Sequence, residues 1–557
     1  MLKSNYRSYF FAAVLAVAAN VPAIAQTTNA AEPNAALNAV LDKVVAQEQE
    51  LSRSLSKYSP LVETYIQNLG PDAELGVAPK SDKYFLGKLD MGRGMQRLSL
   101  LDEKGFAQGF RDKVGLMYSV KYLASGFAQM ILIDGNQFDR NNYEFEFIRR
   151  EFLGEVRCIV FDVTPKNKMQ AGTFLGRIWV EDRDYHIVRF NGTYNKPEGA
   201  KMYFHFDSWR EQMGPGLWLP AYVYSEESDR SYFMSTRKLQ FKSQTRIWGY
   251  NTGRSSAQNE FTALTVESDS VQDNGDAVEH ASPVLSLRAW ERQAEENVLQ
   301  RLEKAGLLAR LGEVDKVLTT VVNNLEITNE LSVEPEVRCR VLMTSPLESF
   351  TVGHTIVLSR GLIDVLPDEA SLAMVLAHEL AHITLGHRLD TKYAFNDRML
   401  FEDNEAVESL FMKRDEKEER QADQKAIEFL RKSPYQAKLA GAGLFLRALA
   451  DHSKSLPNLL RGNFGNQLAN RGDLRRMPEL TQSAPKLEKG KVDQIAALPL
   501  GGRIRVNPWD NSIELIKTKA VGLLSAGEKL QFEVAPIFIY LTRQKTGSAE
   551  AGKNNNQ

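Results

Sequence analysis

Between residues 80 and 265 the apolar side chains of this chain recur at every second position, and from residue 285 onward they recur at helical spacing. One layer of structure cannot satisfy both periods, so an antiparallel sheet region must be followed by a mainly helical one. The strand reading rests on runs such as RIWVEDRDYHIVRFNG. There Ile178 and Val180 alternate, a turn falls at 181–184, and Tyr185, Ile187 and Val188 continue beyond it. CIVFDVTP, KMYFHFDSW and LWLPAYVYS repeat the pattern, separated by Gly, Asn, Asp and Pro. A curved antiparallel sheet of six or more strands is expected. At 557 residues the chain is long enough for several cores.

The two ends carry their own signals. Lys3 and Arg7 precede an apolar run over 9–19, and the small residues Ala23 and Ala25 stand before Gln26. This is the three-part layout of a cleaved secretory signal. No later run reaches the roughly 18 apolar residues of a membrane span, so the mature protein is expected to be exported, periplasmic and soluble. A net charge of −2 gives no electrostatic reason to expect nucleic acid as a partner. Cys158 and Cys339 fall in different regions, so neither a stabilising disulfide nor a thiolate metal site is expected. Any transition metal must therefore be held by His and carboxylate.

Six segments result: a signal peptide over 1–25, a helical leader and linker over 26–79, and an antiparallel β domain over 80–270. Then come a mainly helical domain with a small sheet over 283–485, a small β module over 495–545 and a disordered tail over 546–557. The leader rests on a helical pattern over 37–65. The C-terminal module rests on the strand-like runs GRIRVNP, SIELIKT and FIYLTR.

The chemistry concentrates in SLAMVLAHELAHITLGH. Asp368 after Pro367 is a helix N-cap, and 372–377 is apolar nearly all round, which describes a buried helix. His378 and His382 are four apart, so both imidazoles leave one face, as two ligands of one metal require. Glu379 adjoins the first of them and can reach a metal-bound water. Zinc hydrolases need a third protein ligand and leave a fourth position to water. EKEERQADQKAIEFL offers Glu416, Glu418 and Glu419. Of these, Glu419 continues the apolar stripe of Ala422, Ala426, Ile427 and Leu430. Glu419 is thus the expected third ligand of a single zinc per chain. Asp423, one turn on, is placed to accept the second ring N–H of a zinc-bound His.

HELAHITLGH followed by ERQAD resembles the zinc metallopeptidases grouped with the CAAX prenyl protease and HtpX. The resemblance implies ligands at His378, His382 and Glu419, a general base at Glu379 and a supporting Asp423. It also implies an edge strand on which substrate lies as an added strand. Here the matching segment is LESFTVGHTIVLSRGL, in which Phe350, Gly353 and Ile356 keep the family frame and His354 is a candidate substrate contact. The family's His-Pro pair is missing; the nearest match is Arg475-Arg476-Met477-Pro478, which makes Arg476 the candidate for the oxyanion. The β region weakly resembles the half-barrel of periplasmic lipoprotein carriers such as LolA.

The expected fold is multidomain α+β, with a half-barrel-like antiparallel β domain before a mainly helical zincin metalloprotease domain. The expected activity is that of an exported zinc-dependent endopeptidase. It would act on envelope proteins in quality control, by attack of a zinc-bound water with Glu379 as base. Its partners are protein or peptide substrates and envelope assembly partners, with lipid or lipoprotein bound by the β domain as the weaker expectation. The rival is a carrier or chaperone with a degenerate or latent protease domain, and 391–412 is the candidate lid.

Overall fold

The computed structural model describes residues 31–90, 96–99, 124–134, 137–167, 170, 172–195, 205–231, 238–250, 282–394, 410, 412–465, 468–470, 473–474, 476–517 and 521–544. The segment expected to be a signal peptide, residues 251–281, most of the candidate lid and the expected C-terminal tail lie outside the described residues.

The chain opens with α1 (Ala31–Leu55). It continues through β1 (Leu61–Asp72), β2 (Gly76–Asp90), β3 (Gln96–Ser99), α2 (Ala124–Gln129), β4 (Tyr143–Leu153), β5 (Val156–Pro165) and β6 (Phe174–Glu181). After these come β7 (Ile187–Tyr194), β8 (His205–Gly214), β9 (Leu217–Ser231) and β10 (Lys238–Trp248). Among the described residues these ten strands form one sheet, in the order β3-β2-β1-β10-β9-β8-β7-β6-β5-β4. Every pairing in it is antiparallel, and β1 joins the sheet beside β10 with Leu61 opposite Trp248.

Both faces of this sheet are covered. On β5, Cys158 and Val160 point towards the helical region, while Ile159, Phe161 and Val163 join a second core with Leu41, Val44, Leu51 and Leu55 of α1. A strand buried on both faces reads as a near-continuous apolar run. That explains one difference from expectation. The helical pattern extended to residue 65, yet α1 ends at Leu55 and Leu61–Asp72 is an inner strand of the sheet. Leu61 and Tyr65 serve one core and Val62 and Ile66 the other, so the apolar pairs fall four apart and imitate a helix.

The helical region contains α3 (Pro283–Lys304), α4 (Glu313–Thr328), β11 (Arg338–Leu342), β12 (Ser349–Val352), β13 (Thr355–Ser359) and α5 (Arg360–Val365). Next come α6 (Glu369–Thr384), α7 (Glu416–Lys432), α8 (Leu439–His452), the short hairpin β14 (Ala469–Asn470) and β15 (Asp473–Leu474), and α9 (Pro478–Ser483). β13 pairs in parallel with β11 and antiparallel with β12, so β12 is an edge of this small sheet. The β12–β13 turn is made by Gly353 and His354. Gly353 has φ +57°, and a β-carbon there would collide with the Glu295 carboxylate. α6 packs against α4, α7 and α8. Asp368 caps it by accepting the Ser371 amide at 2.8 Å, as its sequence position predicts.

The last segment contributes β16 (Ile504–Val506) and β17 (Ile513–Leu515). Among the described residues its apolar side chains build no separate core: Ala496, Leu500, Ile504, Ile513, Phe532 and Leu541 join the core that the sheet shares with the helical region. FIYLTR, expected to be a strand, belongs to no ladder and runs extended along the sheet, where the Glu155 amide donates to the Leu541 carbonyl at 2.8 Å. No helix among the described residues is long and apolar enough to cross a membrane.

Candidate metal centre and active site

α6 is buried along most of its length, and His378, Glu379 and His382 lie within its buried part. Imidazoles and a carboxylate in that position need polar partners, and the neighbouring elements supply them. α7 is capped by Asp415, whose side chain accepts the Lys417 and Glu418 amides at 2.8 Å, and it lays Glu419 and Asp423 against α6. His378 Nε2 and His382 Nε2 face each other at 3.1 Å. The two Glu419 oxygens stand 3.4 Å from His378 Nε2 and 3.3 Å from His382 Nε2.

These separations fit a metal. A tetrahedral ion with ligand bonds of about 2.0–2.1 Å holds its ligand atoms about 3.3–3.4 Å apart. The donor set, two imidazoles and a carboxylate, is one that zinc accepts. The charge fits as well. Among the described residues Glu379, Glu419 and Asp423 face the single cation Arg476, so with neutral imidazoles the cluster carries −2, the complement of a divalent ion.

The neighbouring groups orient the donors. His378 Nδ1 lies 2.8 Å from Asp423 Oδ1, and the other Asp423 oxygen accepts the Met477 amide at 3.0 Å. A carboxylate on Nδ1 keeps the proton there and turns the Nε2 lone pair inward. Burial and Arg476 push the His378 imidazolium down, but the hydrogen bonds of Asp423 and Glu419 outweigh them and hold its pKa up at about 9. Burial lowers the pKa of His382 despite its bond to Glu419. Burial would raise Glu419, yet Arg476 and the two histidines hold it far below the usual carboxylate range. Glu379 is likewise lowered, burial being outweighed by His378 and Arg476.

Three contacts were not read from the sequence. His382 Nδ1 is 2.8 Å from His387 Nδ1, so His387 does for the second imidazole what Asp423 does for the first. Ser349 Oγ donates to Glu379 Oε1 at 2.7 Å, and Thr351 Oγ1 donates to Glu379 Oε2 at 2.6 Å. Their signal was present: two hydroxyl residues at i and i+2 of a strand point to one side. By the same alternation Phe350 points away from Glu379, and its ring packs near Phe464 with centroids 6.2 Å apart. Gly353 shapes the turn. Among the described residues no hydrogen bond or ion pair joins His354 to the cluster.

Arg476 enters the site from the segment after α8. Its Nη2 lies 3.3 Å from Glu419 and its Nη1 3.7 Å from Glu379. Glu348, which stands where the resembled family usually has Asn, accepts the backbone amides of Phe464 at 2.9 Å and Gly465 at 3.4 Å. It thereby ties that segment to the edge of β12. All of β12 is buried, and Glu379 is 2% exposed.

Residues 312–489 match the profile of Peptidase family M48. No curated protein matches the chain. Among solved structures, the chain is similar to a DUF1329 family protein from Desulfovibrio piger at 12% identity. That likeness covers 41% of this chain and 98% of that one, with a TM-score of 0.19, too loose a superposition to carry an argument. The family match supports a metallopeptidase of the hydrolase class. Peptidases of that family are zinc-dependent, and the His378, His382 and Glu419 cluster is the possible metal site.

Proposed function

We propose that this protein is an exported zinc-dependent endopeptidase that hydrolyses peptide bonds of periplasmic and envelope proteins in quality control. The observation that carries the reading is the convergence of His378, His382 and Glu419 at tetrahedral ligand spacing beside Glu379. The segments over 80–270, 283–485 and 495–545 are read as a substrate-recruiting β domain, the peptidase domain and a C-terminal module.

His378, His382 and Glu419 would hold one zinc, which when bound lowers the pKa of a water towards about 7 and polarises the substrate carbonyl. Glu379 takes the proton of the attacking water and passes it to the leaving amine nitrogen. Ser349 and Thr351 fix the Glu379 carboxylate by one hydroxyl on each oxygen. Arg476, aimed at the same centre, offsets the negative charge that develops on the carbonyl oxygen. Asp423 and His387 keep the two imidazoles in the ligating tautomer.

A latent resting state is favoured by one further observation. β12, the edge on which a substrate strand would add, is buried along its whole length, so a chain reaches it only after the covering segments move. The experiment compares zinc content and casein cleavage of the purified chain with those of Glu379→Gln. Endopeptidase action predicts one zinc in each and cleavage by the native chain alone. Equal zinc with no cleavage by either, even of unfolded casein, would move the carrier or chaperone reading ahead.

A further inference from the structure

Where the sheet, α5 and the C-terminal segment meet, the protein forms an open cavity of about 890 Å³. None of the metal-cluster residues lines it, so binding there stands or falls independently of the peptidase reading. Its size is that of a small-molecule site. Arg246 and Trp248, two apart on β10, both reach it from one face of the sheet, and Arg310 and Arg360 add further cations. Ile504, Ile537 and Phe538 supply apolar surface from the C-terminal segment.

Arg246 is the decisive residue. It is 8% exposed, its Nη2 donates to Gln244 Oε1 at 3.2 Å, and its guanidinium lies over the Tyr222 ring at 5.6 Å. Its Nε has no hydrogen-bond partner, and among the described residues no carboxylate comes within ion-pair distance of it. Arg360 differs, being paired with Glu63 at 3.3 Å. The buried Asp364 feels the charge of Arg246 but forms no ion pair with it, its oxygens accepting the amides of Gly501, Arg503 and Ile504 at 2.9–3.1 Å, so the Arg246 Nε stays unbonded. A buried guanidinium with an idle donor is costly unless an anion meets it.

Four acids line the cavity, Glu211, Glu313, Asp510 and Glu514, and among the described contacts none pairs with Arg246; Asp510 accepts the Ser512 amide at 2.9 Å. Glu514 is held by Arg505 at 2.9 Å. Glu211 is pushed up to about 7 by burial, with Arg505 pulling it down and Glu514 pushing it up, so it carries only part of a charge at neutral pH. At the mouth, Phe538 and Tyr540 are 61% and 54% exposed, apolar surface that a ligand would cover. We propose that this cavity binds an amphipathic monoanion, its carboxylate or phosphate headgroup on Arg246 and its apolar body along Trp248, Ile504 and Phe538.

The test is calorimetric titration of the full chain with oleate, dodecyl phosphate and the neutral oleyl alcohol, each below its aggregation concentration. The native chain is expected to take one oleate or one dodecyl phosphate saturably, the better of the two identifying the headgroup. The alcohol should bind roughly tenfold more weakly or worse, and Arg246→Gln should lose that preference. No saturable binding of either anion, equal binding of the alcohol, or an unchanged Arg246→Gln overturns the proposal. Should Arg246→Gln melt far below the native chain, Phe538→Ala, at an exposed position, takes its place. It is expected to weaken anion binding several-fold, and unchanged affinity there also counts against the site.

Discussion

Two buried polar clusters invite comparison, one around Glu63 and one around His378. Glu63, on β1, spends both oxygens on protein donors: Oε1 accepts the Ser345 amide at 2.6 Å and Tyr84 Oη at 2.9 Å. Oε2 accepts Ser345 Oγ at 2.7 Å and Arg360 at 3.3 Å. The cluster fastens the sheet to the helical region. Asp82 repeats the device on β2, taking the amides of Asn458 and Leu459 and the hydroxyl of Tyr65. Around His378 the donors instead converge on one point, with two imidazole nitrogens turned towards each other at 3.1 Å. A cluster that satisfies itself holds the fold together, whereas one whose donor atoms meet at a common centre has the geometry that could hold a metal ion.

The comparison can be broken from either side. Glu379→Gln should lower casein cleavage by about 10²–10⁴-fold while zinc per chain and melting temperature stay the same, which would separate chemistry from architecture. Glu63→Ala should cost about 3–5 kcal/mol, because it leaves Arg360 buried without its partner; urea unfolding reads this, and unaltered stability would refute a fastening role. Arg476→Gln should reduce kcat by about 10²–10³-fold with zinc retained. Zinc loss in that variant would instead make Arg476 a support for Glu419.

A smaller effect comes from pH. Burial pushes Glu348 up to about 7, against the pull of the Phe464 and Gly465 amides. An unfolded Glu releases its proton near pH 4.3, so between about 4.3 and 7 the folded chain binds more protons and stability falls as pH rises. Glu348→Gln removes this dependence. Relative to the native chain it should gain stability across that window, by about 3–4 kcal/mol once above pH 7, less whatever its altered hydrogen bonds cost. Parallel melting curves at every pH would refute the protonated form. The smallest change is expected from Ser349→Ala, a loss of up to about tenfold in kcat with KM unchanged, since Thr351 still holds the other Glu379 oxygen.

Legibility followed the range of each interaction. His378, Glu379 and His382 could be read because one turn of helix fixes which side chains share a face, and Asp368 because a cap acts within three residues. Glu419 was legible only through the apolar stripe it extends. β1 was misread because a doubly buried strand has no alternation to show. Ser349, Thr351 and His387 went unassigned because nothing local marks a hydroxyl or an imidazole as a partner of a residue on another element or past a helix end.

The sequence by itself determined the two periods, the paired imidazoles with their neighbouring carboxylate and the lack of a thiolate alternative, all matters of spacing along one element. Only the tertiary structure decided that Glu419, Asp423 and Arg476 close around that pair, that β12 is buried, and that Arg246 faces a cavity. Those depend on which helix packs on which and on how closely two backbones approach. That outcome belongs to the collapse of the whole core, and no local pattern of residues encodes it.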